Sequence, residues 1–268
     1  MNPKNDGSPR PPDWLRPRGV AAGTWEYVNE RTIASRYDAF VADTPLCELD
    51  QRLLAEHLGP FTAQRKQTVL DLGCGMGRHA IPLTELGCDV VAIDLSRDML
   101  AELVAKCRSR AIEVVVPLHA NLVELDGLRD EIADHAICLF STLGMIQGRA
   151  NRRQFLRHVN RPLRPGGTFV VHVHRRWAAL RERGGLRSLA HSWWQSIGRG
   201  ESEFGDTVYG YRGLSKMFMH RFSERELRAD LTQTGWRIEN VQRIGLTGEQ
   251  TVDRSWDASG FFVTAVRA

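Results

Sequence analysis

No run of apolar residues in this chain of 268 approaches the roughly 18 that a membrane-crossing helix needs. The opening MNPKNDGSPRPPDWLRPRG contains no apolar core of the kind a secretory signal carries, which points to a cytoplasmic protein with no membrane partner. Cysteine is sparse. Cys47, Cys74, Cys88, Cys107 and Cys138 form no Cys-x-x-Cys pair and have no histidine at metal-ligand spacing, so no metal site is expected and the thiols read as reduced packing residues. Charge of one sign is not in large excess either. A formal net charge of +4, with 25% of residues charged, does not by itself indicate a polyanionic partner, though it leaves nucleic acid open. What is present is 42% hydrophobic content, enough for one sizeable core with room for an insertion but not for two full domains.

Residues 1–24, with Pro3, Pro9, Pro11, Pro12 and Pro17 among polar groups, carry too little apolar material to offset the entropy of ordering, and read as a disordered tail. Residues 25–60 turn helical: Leu46, Leu49, Leu53, Leu54 and Leu58 recur at helical spacing before Gly59-Pro60, a lead-in or lid to a main domain at 61–268. In that domain strands alternate with amphipathic helices. The strands are Thr68–Leu72, Asp89–Asp94, Glu113–Leu118, Ala136–Phe140 and Thr168–His174. A helix from Arg97, capped by Ser96, puts Met99, Leu100, Leu103, Val104 and Cys107 on one face, and the turn Arg164-Pro165-Gly166-Gly167 precedes the fifth strand. Such near-continuous apolar strands predict a mostly parallel, Rossmann-like, doubly wound α/β sheet covered on both faces.

The C-terminal rhythm differs. Ser223-Glu224-Arg225-Glu226 reads as a capping box opening a helix that Gly235 closes, and Trp236–Ile244 with Gly260–Val266 as an antiparallel hairpin. The stretch between the fifth strand and that helix is an insertion at about 175–216, rich in arginine and aromatic residues, and substrate recognition is expected there.

A parallel α/β sheet binds ligands at the carboxyl ends of its strands, and a glycine-rich first turn lets backbone N–H groups approach them. Here the glycines are Gly73, Gly75 and Gly77, and Arg78 stands where a dinucleotide fingerprint has its third glycine, so a nicotinamide-dependent oxidoreductase is the weaker reading. Asp71, two positions before Gly73, suits the ammonium of an amino-acid-bearing cofactor better than a pyrophosphate.

The run Val69-Leu70-Asp71-Leu72-Gly73-Cys74-Gly75-Met76-Gly77-Arg78-His79 resembles motif I of the class I S-adenosylmethionine-dependent methyltransferases. Val91-Ala92-Ile93-Asp94-Leu95-Ser96 and Leu163-Arg164-Pro165-Gly166-Gly167 are similar to that family too, and the likeness runs from roughly Tyr37 to Ala268. The resemblance implies a seven-stranded sheet, S-adenosyl-L-methionine as cofactor and methyl transfer as the activity. It implies that Gly73, Gly75 and Gly77 line the cofactor's methionine and ribose and that Asp94 accepts from the ribose hydroxyls, with Leu95 and Leu122 in the same binding set. Asn121 stands where the family often has an acid for the adenine amino group. Phe140 is placed near the reacting methyl, or is a core aromatic; Tyr37 is an aromatic that closes over the cofactor, or packs its helix.

Methyl transfer from a sulfonium needs alignment and desolvation more than a catalytic constellation. Phe140-Ser141-Thr142-Leu143 is not the Asp/Asn-Pro-Pro-Tyr/Phe signature of enzymes acting on DNA-base amines, and Cys138 does not precede a proline. His172 and His174 share a face of the fifth strand, and His174, at its carboxyl end, is the candidate general base. A small-molecule acceptor is the leading expectation, RNA the alternative, and a silent cofactor-binding protein a further class.

Overall fold

The computed structural model describes residues 12–30, 44–58, 66–198, 202–211 and 214–268. Along the chain come α1 (Ala22–Val28), α2 (Pro45–Leu58), β1 (Thr68–Leu72), α3 (Ala80–Glu85), β2 (Asp89–Asp94), α4 (Arg97–Ser109), β3 (Val115–His119) and β4 (Ala133–Cys138). They are followed by α5 (Thr142–Met145), α6 (Arg149–Asn160), β5 (Leu163–His174), α7 (Gly185–Ile197), β6 (Asp206–Tyr211), β7 (Leu214–His220), α8 (Glu224–Gln233), β8 (Trp236–Gly245) and β9 (Ala258–Arg267).

Seven strands form one sheet in the order β3-β2-β1-β4-β5-β9-β8. The first five run parallel, and β9 pairs antiparallel with both β5 and β8, the expected hairpin. Because side chains alternate across a strand, the apolar runs feed two cores. Leu70, Leu72, Ala136, Cys138, Val171, Val173, Phe261 and Val263 pack on one side with Phe155, Leu156, Leu227 and Leu231 of α6 and α8. Val69, Val90, Ile137, Val170 and Phe262 pack on the other with the α2 leucines, Ile81 of α3 and Leu103 of α4. Both faces are thus covered, and Pro117, which lacks an N–H, sits in the edge strand β3. All five cysteines are buried and none forms a disulfide. Among the described residues no helix is long and apolar enough to cross a membrane.

Several boundaries differ from expectation. Leu163 already pairs with Ala133, so Arg164-Pro165-Gly166-Gly167 is a bulge inside β5 rather than a turn before it. Part of the expected tail is ordered: Val20 is buried and bridges to Ile146, and α1 packs on β7 so closely that a Cβ on Gly23 would lie 1.7 Å from the Lys216 carbonyl oxygen. This tertiary contact supplies the burial that the local composition lacks. The insertion comprises a 3-10 turn at Arg176–Arg181, α7 and the separate hairpin β6–β7.

The capping box is half realised. Ser223 Oγ accepts from the Glu226 N–H at 3.2 Å, but the Glu226 carboxylate, instead of reaching back, accepts from His220 Nε2 at 2.9 Å and from Arg176. His220 Nδ1 lies 2.6 Å from Asp206, and the fully buried Arg152 donates to Glu203 at 2.8 Å. Glu203, His220 and Glu226 lie close enough together to suggest a cation site, yet Arg152 and Arg176 already balance the carboxylates, which makes this an ion network pinning the insertion to α6 and α8. Burial opposes charge on Glu226, but the hydrogen bond and charge of His220 and the charges of Arg176 and Arg152 prevail and pull its carboxyl down to about 2. A carboxyl depressed on folding contributes stability that is complete above its ordinary value near 4.5 and lost as pH falls through about 2. Glu226→Gln is therefore expected to lower stability at neutral pH and to flatten the loss of stability across that window, as read by denaturant unfolding at stepped pH.

Candidate functional site

The carboxyl ends of the five parallel strands converge on a cavity of about 300 Å³. The glycine loop after β1 is tied to the end of β2: the Gly73 and Cys74 N–H groups donate to the Ile93 carbonyl at 2.8 and 3.1 Å, and the Gly75 N–H to Asp94 Oδ2 at 2.8 Å. All three loop glycines have positive φ, but their surroundings differ. A Cβ on Gly73 would fall 2.4 Å from the Thr142 side chain and one on Gly77 2.3 Å from Leu103, whereas Gly75 faces open space. Gly75, which lines the cavity, thus leaves room for a ligand against the backbone. Gly77, expected beside the cofactor, does not line the cavity; its freedom from a side chain lets the loop pack on α4.

Asp71, Gly73, Gly75, Asp94, Leu95, Asn121, Leu122, Phe140 and His174 all line the cavity. Tyr37 lies outside the described residues. Asp94 uses both oxygens, Oδ2 on the Gly75 N–H and Oδ1 on the Ser96 N–H at 2.7 Å, and accepts from the Leu95 N–H as well, which leaves the carboxylate one acceptor position at the cavity wall. Asn121 is more committed than expected. Its amide nitrogen donates to the Arg18 carbonyl and to Glu124, both at 3.0 Å, and its oxygen accepts from the Val123 N–H at 3.2 Å, so it tethers the N-terminal arm and has only one acceptor position left.

Asp71 is the electrostatic singularity. It is buried, one oxygen accepts from the Ala80 N–H, and among the described residues its Oδ2 has no hydrogen-bond partner. Burial, then the nearby charge of Asp94, pushes its carboxyl up to about 7. A buried acceptor in that state fits a cation.

Much of the remaining wall is apolar and comes from elements far apart in sequence: Phe140, Met145, Tyr209, Met217 and Met219, with Tyr27 packed on Met76 and Met99 beside the glycine loop. Two imidazoles face it. Burial, then the charge of His172, pushes His174 down to about 3, and burial pushes His79 down to about 4; neither ring nitrogen of His79 has a hydrogen-bond partner among the described residues. His172 is withdrawn from the site and pairs with the buried Asp50 at 3.1 Å. Phe140 and Ser141 both adopt the left-handed conformation, with φ of 53° and 64°, at the exit of β4. The arrangement is held by Ser141 Oγ, which accepts from the His174 N–H at 3.1 Å and donates to Met219 Sδ at 3.4 Å, while the Arg78 guanidinium lies 4.6 Å over the Phe140 ring. Burial raises the Cys74 and Cys138 thiols, so neither is a thiolate nucleophile.

Sequence reasoning missed Thr24, Tyr27, His79, Met99, Ser141 and the β6–β7 contribution. The alternation of Met217 and Met219 onto one face of a strand was the available signal; nothing local marks α1 as a wall of the site.

Residues 69–167 match the family model of a methyltransferase domain. The cypemycin N-terminal methyltransferase of Streptomyces sp is 36% identical over 101 residues, 38% of this chain and 39% of that protein. The chain spans about half or less of the length of the curated relatives it matches. In fold it is similar to the CcbJ methyltransferase of Streptomyces caelestis, with a TM-score of 0.64 at 20% identity over 88% of this chain and 96% of that one. It is also similar to the 1,6-didemethyltoxoflavin-N1-methyltransferase of Burkholderia thailandensis, solved with 1,6-didemethyltoxoflavin and S-adenosylhomocysteine, with a TM-score of 0.60 at 20% identity over 95% and 93%.

An acid whose folded value is raised destabilises the fold increasingly as pH rises from its ordinary value toward the raised one. For Asp71 that window is about 3.8 to about 7. Asp71→Asn is expected to gain stability over the parent protein across this window, by on the order of 3 kcal/mol at its top, as measured by denaturant unfolding without ligand.

Proposed function

We propose that this chain, whose segment 69–167 matches a methyltransferase domain, is a class I S-adenosylmethionine-dependent methyltransferase that transfers a methyl group to a small-molecule acceptor. The single observation that carries the cofactor assignment is the orphaned Asp71 Oδ2, a buried acceptor beside a glycine loop, which suits the cofactor's ammonium; Asp94, a carboxylate at the cavity wall with an acceptor position left, suits the ribose hydroxyls. When bound, S-adenosylmethionine supplies a methyl on a sulfonium that needs no further activation. The protein's part is orientation and exclusion of water. Phe140 and the methionines of α5 and β7 exclude water, and His174, unprotonated at neutral pH, accepts a hydrogen bond from an acceptor O–H or N–H.

A small acceptor is favoured over RNA by what the insertion's arginines do. Arg175 donates to the Ala258 carbonyl, Arg176 to Glu226, Arg181 to Asp257 and Arg221 to Glu182, and none of them lines the cavity. These four are spent within the protein instead of being presented to phosphates, and the exposed Arg183 and Arg187 do not line the cavity either. The Burkholderia neighbour, solved with 1,6-didemethyltoxoflavin and S-adenosylhomocysteine bound, is consistent with this reading.

Calorimetry is expected to show binding of S-adenosylmethionine and S-adenosylhomocysteine but not NAD, and Asp94→Ala is expected to weaken cofactor binding by about 1.5–3 kcal/mol. Stronger binding of NAD would overturn the assignment. In a tritiated-methyl screen over small-molecule extracts and total tRNA, label is expected in the small molecules. Once an acceptor is in hand, Tyr209→Ala and His174→Ala are each expected to lower transfer about ten-fold or more while cofactor affinity changes less than about two-fold. Cofactor affinity that falls in step with the rate would assign both residues to the cofactor instead.

A further inference from the structure

Only a narrow side of α7 is packed: Gly185, Leu189 and Ser192 are buried. Beside that stripe Leu186 is 72% exposed, Trp193 53%, Trp194 73% and Ile197 61%. With about 3.6 residues per turn, Leu186, Ala190, Trp193 and Ile197 fall on one stripe, with Trp194 at its edge. The apolar arc of the helix is therefore wider than the domain covers. None of these residues lines the cofactor cavity, whose wall from the insertion comes from Tyr209, Met217 and Met219, so the tryptophans are not a lid on the acceptor. Leu180 on the adjoining 3-10 turn and Trp256, whose carbonyl accepts from Arg181, are 52% and 61% exposed and extend the apolar surface. A patch of this kind on one element marks an interaction surface rather than chance exposure.

The helix itself carries charge of one sign. From Gly185 to Ile197 there is no acidic residue, Arg187 lies on the solvent arc of the helix and Arg183 just before it. Among the described residues no carboxylate pairs with either. Of the described acids that flank the patch, Glu182 is paired with Arg221, Glu203 with Arg152 and Asp257 with Arg181, and Arg254 lies 5.5 Å over the Trp256 ring. Tryptophans and aliphatic side chains on one arc, with arginines on the next, match the composition of a helix that lies in a lipid interface.

We propose that α7 and the turn before it dock on an anionic lipid surface, with Leu186, Trp193, Trp194 and Ile197 entering the boundary between headgroups and acyl chains and Arg183 and Arg187 meeting lipid phosphates. The attachment is peripheral, and it reverses the expectation, drawn from the absence of a spanning segment, that no membrane is involved. A second copy of the chain fits less well, because the same helix of a partner, with no acid from Gly185 to Ile197, offers Arg183 and Arg187 no anion. Single-stranded RNA fits less well because Leu186 and Ile197 offer bases no aromatic face.

Co-sedimentation with phosphatidylcholine vesicles, with and without phosphatidylglycerol, tests this directly. The full chain is expected to bind only the vesicles containing phosphatidylglycerol and to be released by salt. Trp193→Ser with Trp194→Ser, and separately Arg183→Ser with Arg187→Ser, are each expected to lower the bound fraction about ten-fold or more, with Tm and S-adenosylhomocysteine binding unchanged because all four positions are exposed and distant from the cavity. Failure to bind phosphatidylglycerol vesicles at low salt would overturn the proposal, as would binding that both double variants retain. So would a dimer in solution that the tryptophan variant dissociates, or binding to total tRNA in place of vesicles that the same variants abolish.

Discussion

The hydrogen bonds from the end of β2 to the glycine loop are the constraint on which the site depends. The Ile93 carbonyl fixes the first two residues of the loop and the Asp94 carboxylate fixes Gly75, so the shape of the ligand cradle is set by the neighbouring strand and not by the loop itself. The same carboxylate holds the Ser96 N–H, and Ser96 in turn caps α4. One acid thereby orients loop, strand end and helix start together. The consequence is electrostatic: Asp71 and Asp94 are brought near each other out of water, and Asp71 answers by holding its proton to about 7. A site that keeps an unpaired buried oxygen in this state is poised for a cation, at a cost in the stability of the empty protein.

A second brace acts at the exit of β4. Phe140 and Ser141 are held in a conformation that only the surrounding structure can enforce, and Ser141 does so by joining the backbone of β5 to the sulfur of Met219. The acceptor end of the cavity is therefore coupled to β7, and through the packing of α1 on β7 to the N-terminal arm. Here the cofactor end and the acceptor end differ in origin: the first is built from consecutive turns of one sheet edge, the second from four separated parts of the chain.

The insertion is anchored by charge rather than by a core of its own. Arg152, fully buried, together with Arg176, Glu203, Asp206, His220 and Glu226 forms a network whose members come from α6, the turn after β5, the β6–β7 hairpin and α8. Such an arrangement tolerates a surface helix that is packed on one narrow side only, which leaves the aromatic arc of α7 facing outward.

How much of this was legible in the sequence follows from the range of the forces involved. Alternating apolar strands and helices, the glycine turn and the acid at the end of β2 are local patterns; periodicity placed the parallel sheet and its C-terminal hairpin, while the glycine turn and the resemblance to the methyltransferase motifs pointed to the cavity-lining Asp71, Gly73, Gly75, Asp94, Leu95 and Phe140. Local pattern did not reveal that Gly77 packs on Leu103, that Asn121 tethers Arg18, or that Val20 to Thr24, read as tail, are ordered against Ile146 and Lys216. Nor did it show that Arg152 is a fully buried ion and that the α7 tryptophans are exposed, the reverse of their usual places. The sequence determined the framework because burial on a strand or helix obeys a period that neighbouring residues spell out. Only the tertiary structure decided which polar groups find partners inside and which apolar ones are left outside, because those energies depend on residues distant in sequence, from 51 positions for Arg152 and Glu203 to 103 for Asn121 and Arg18.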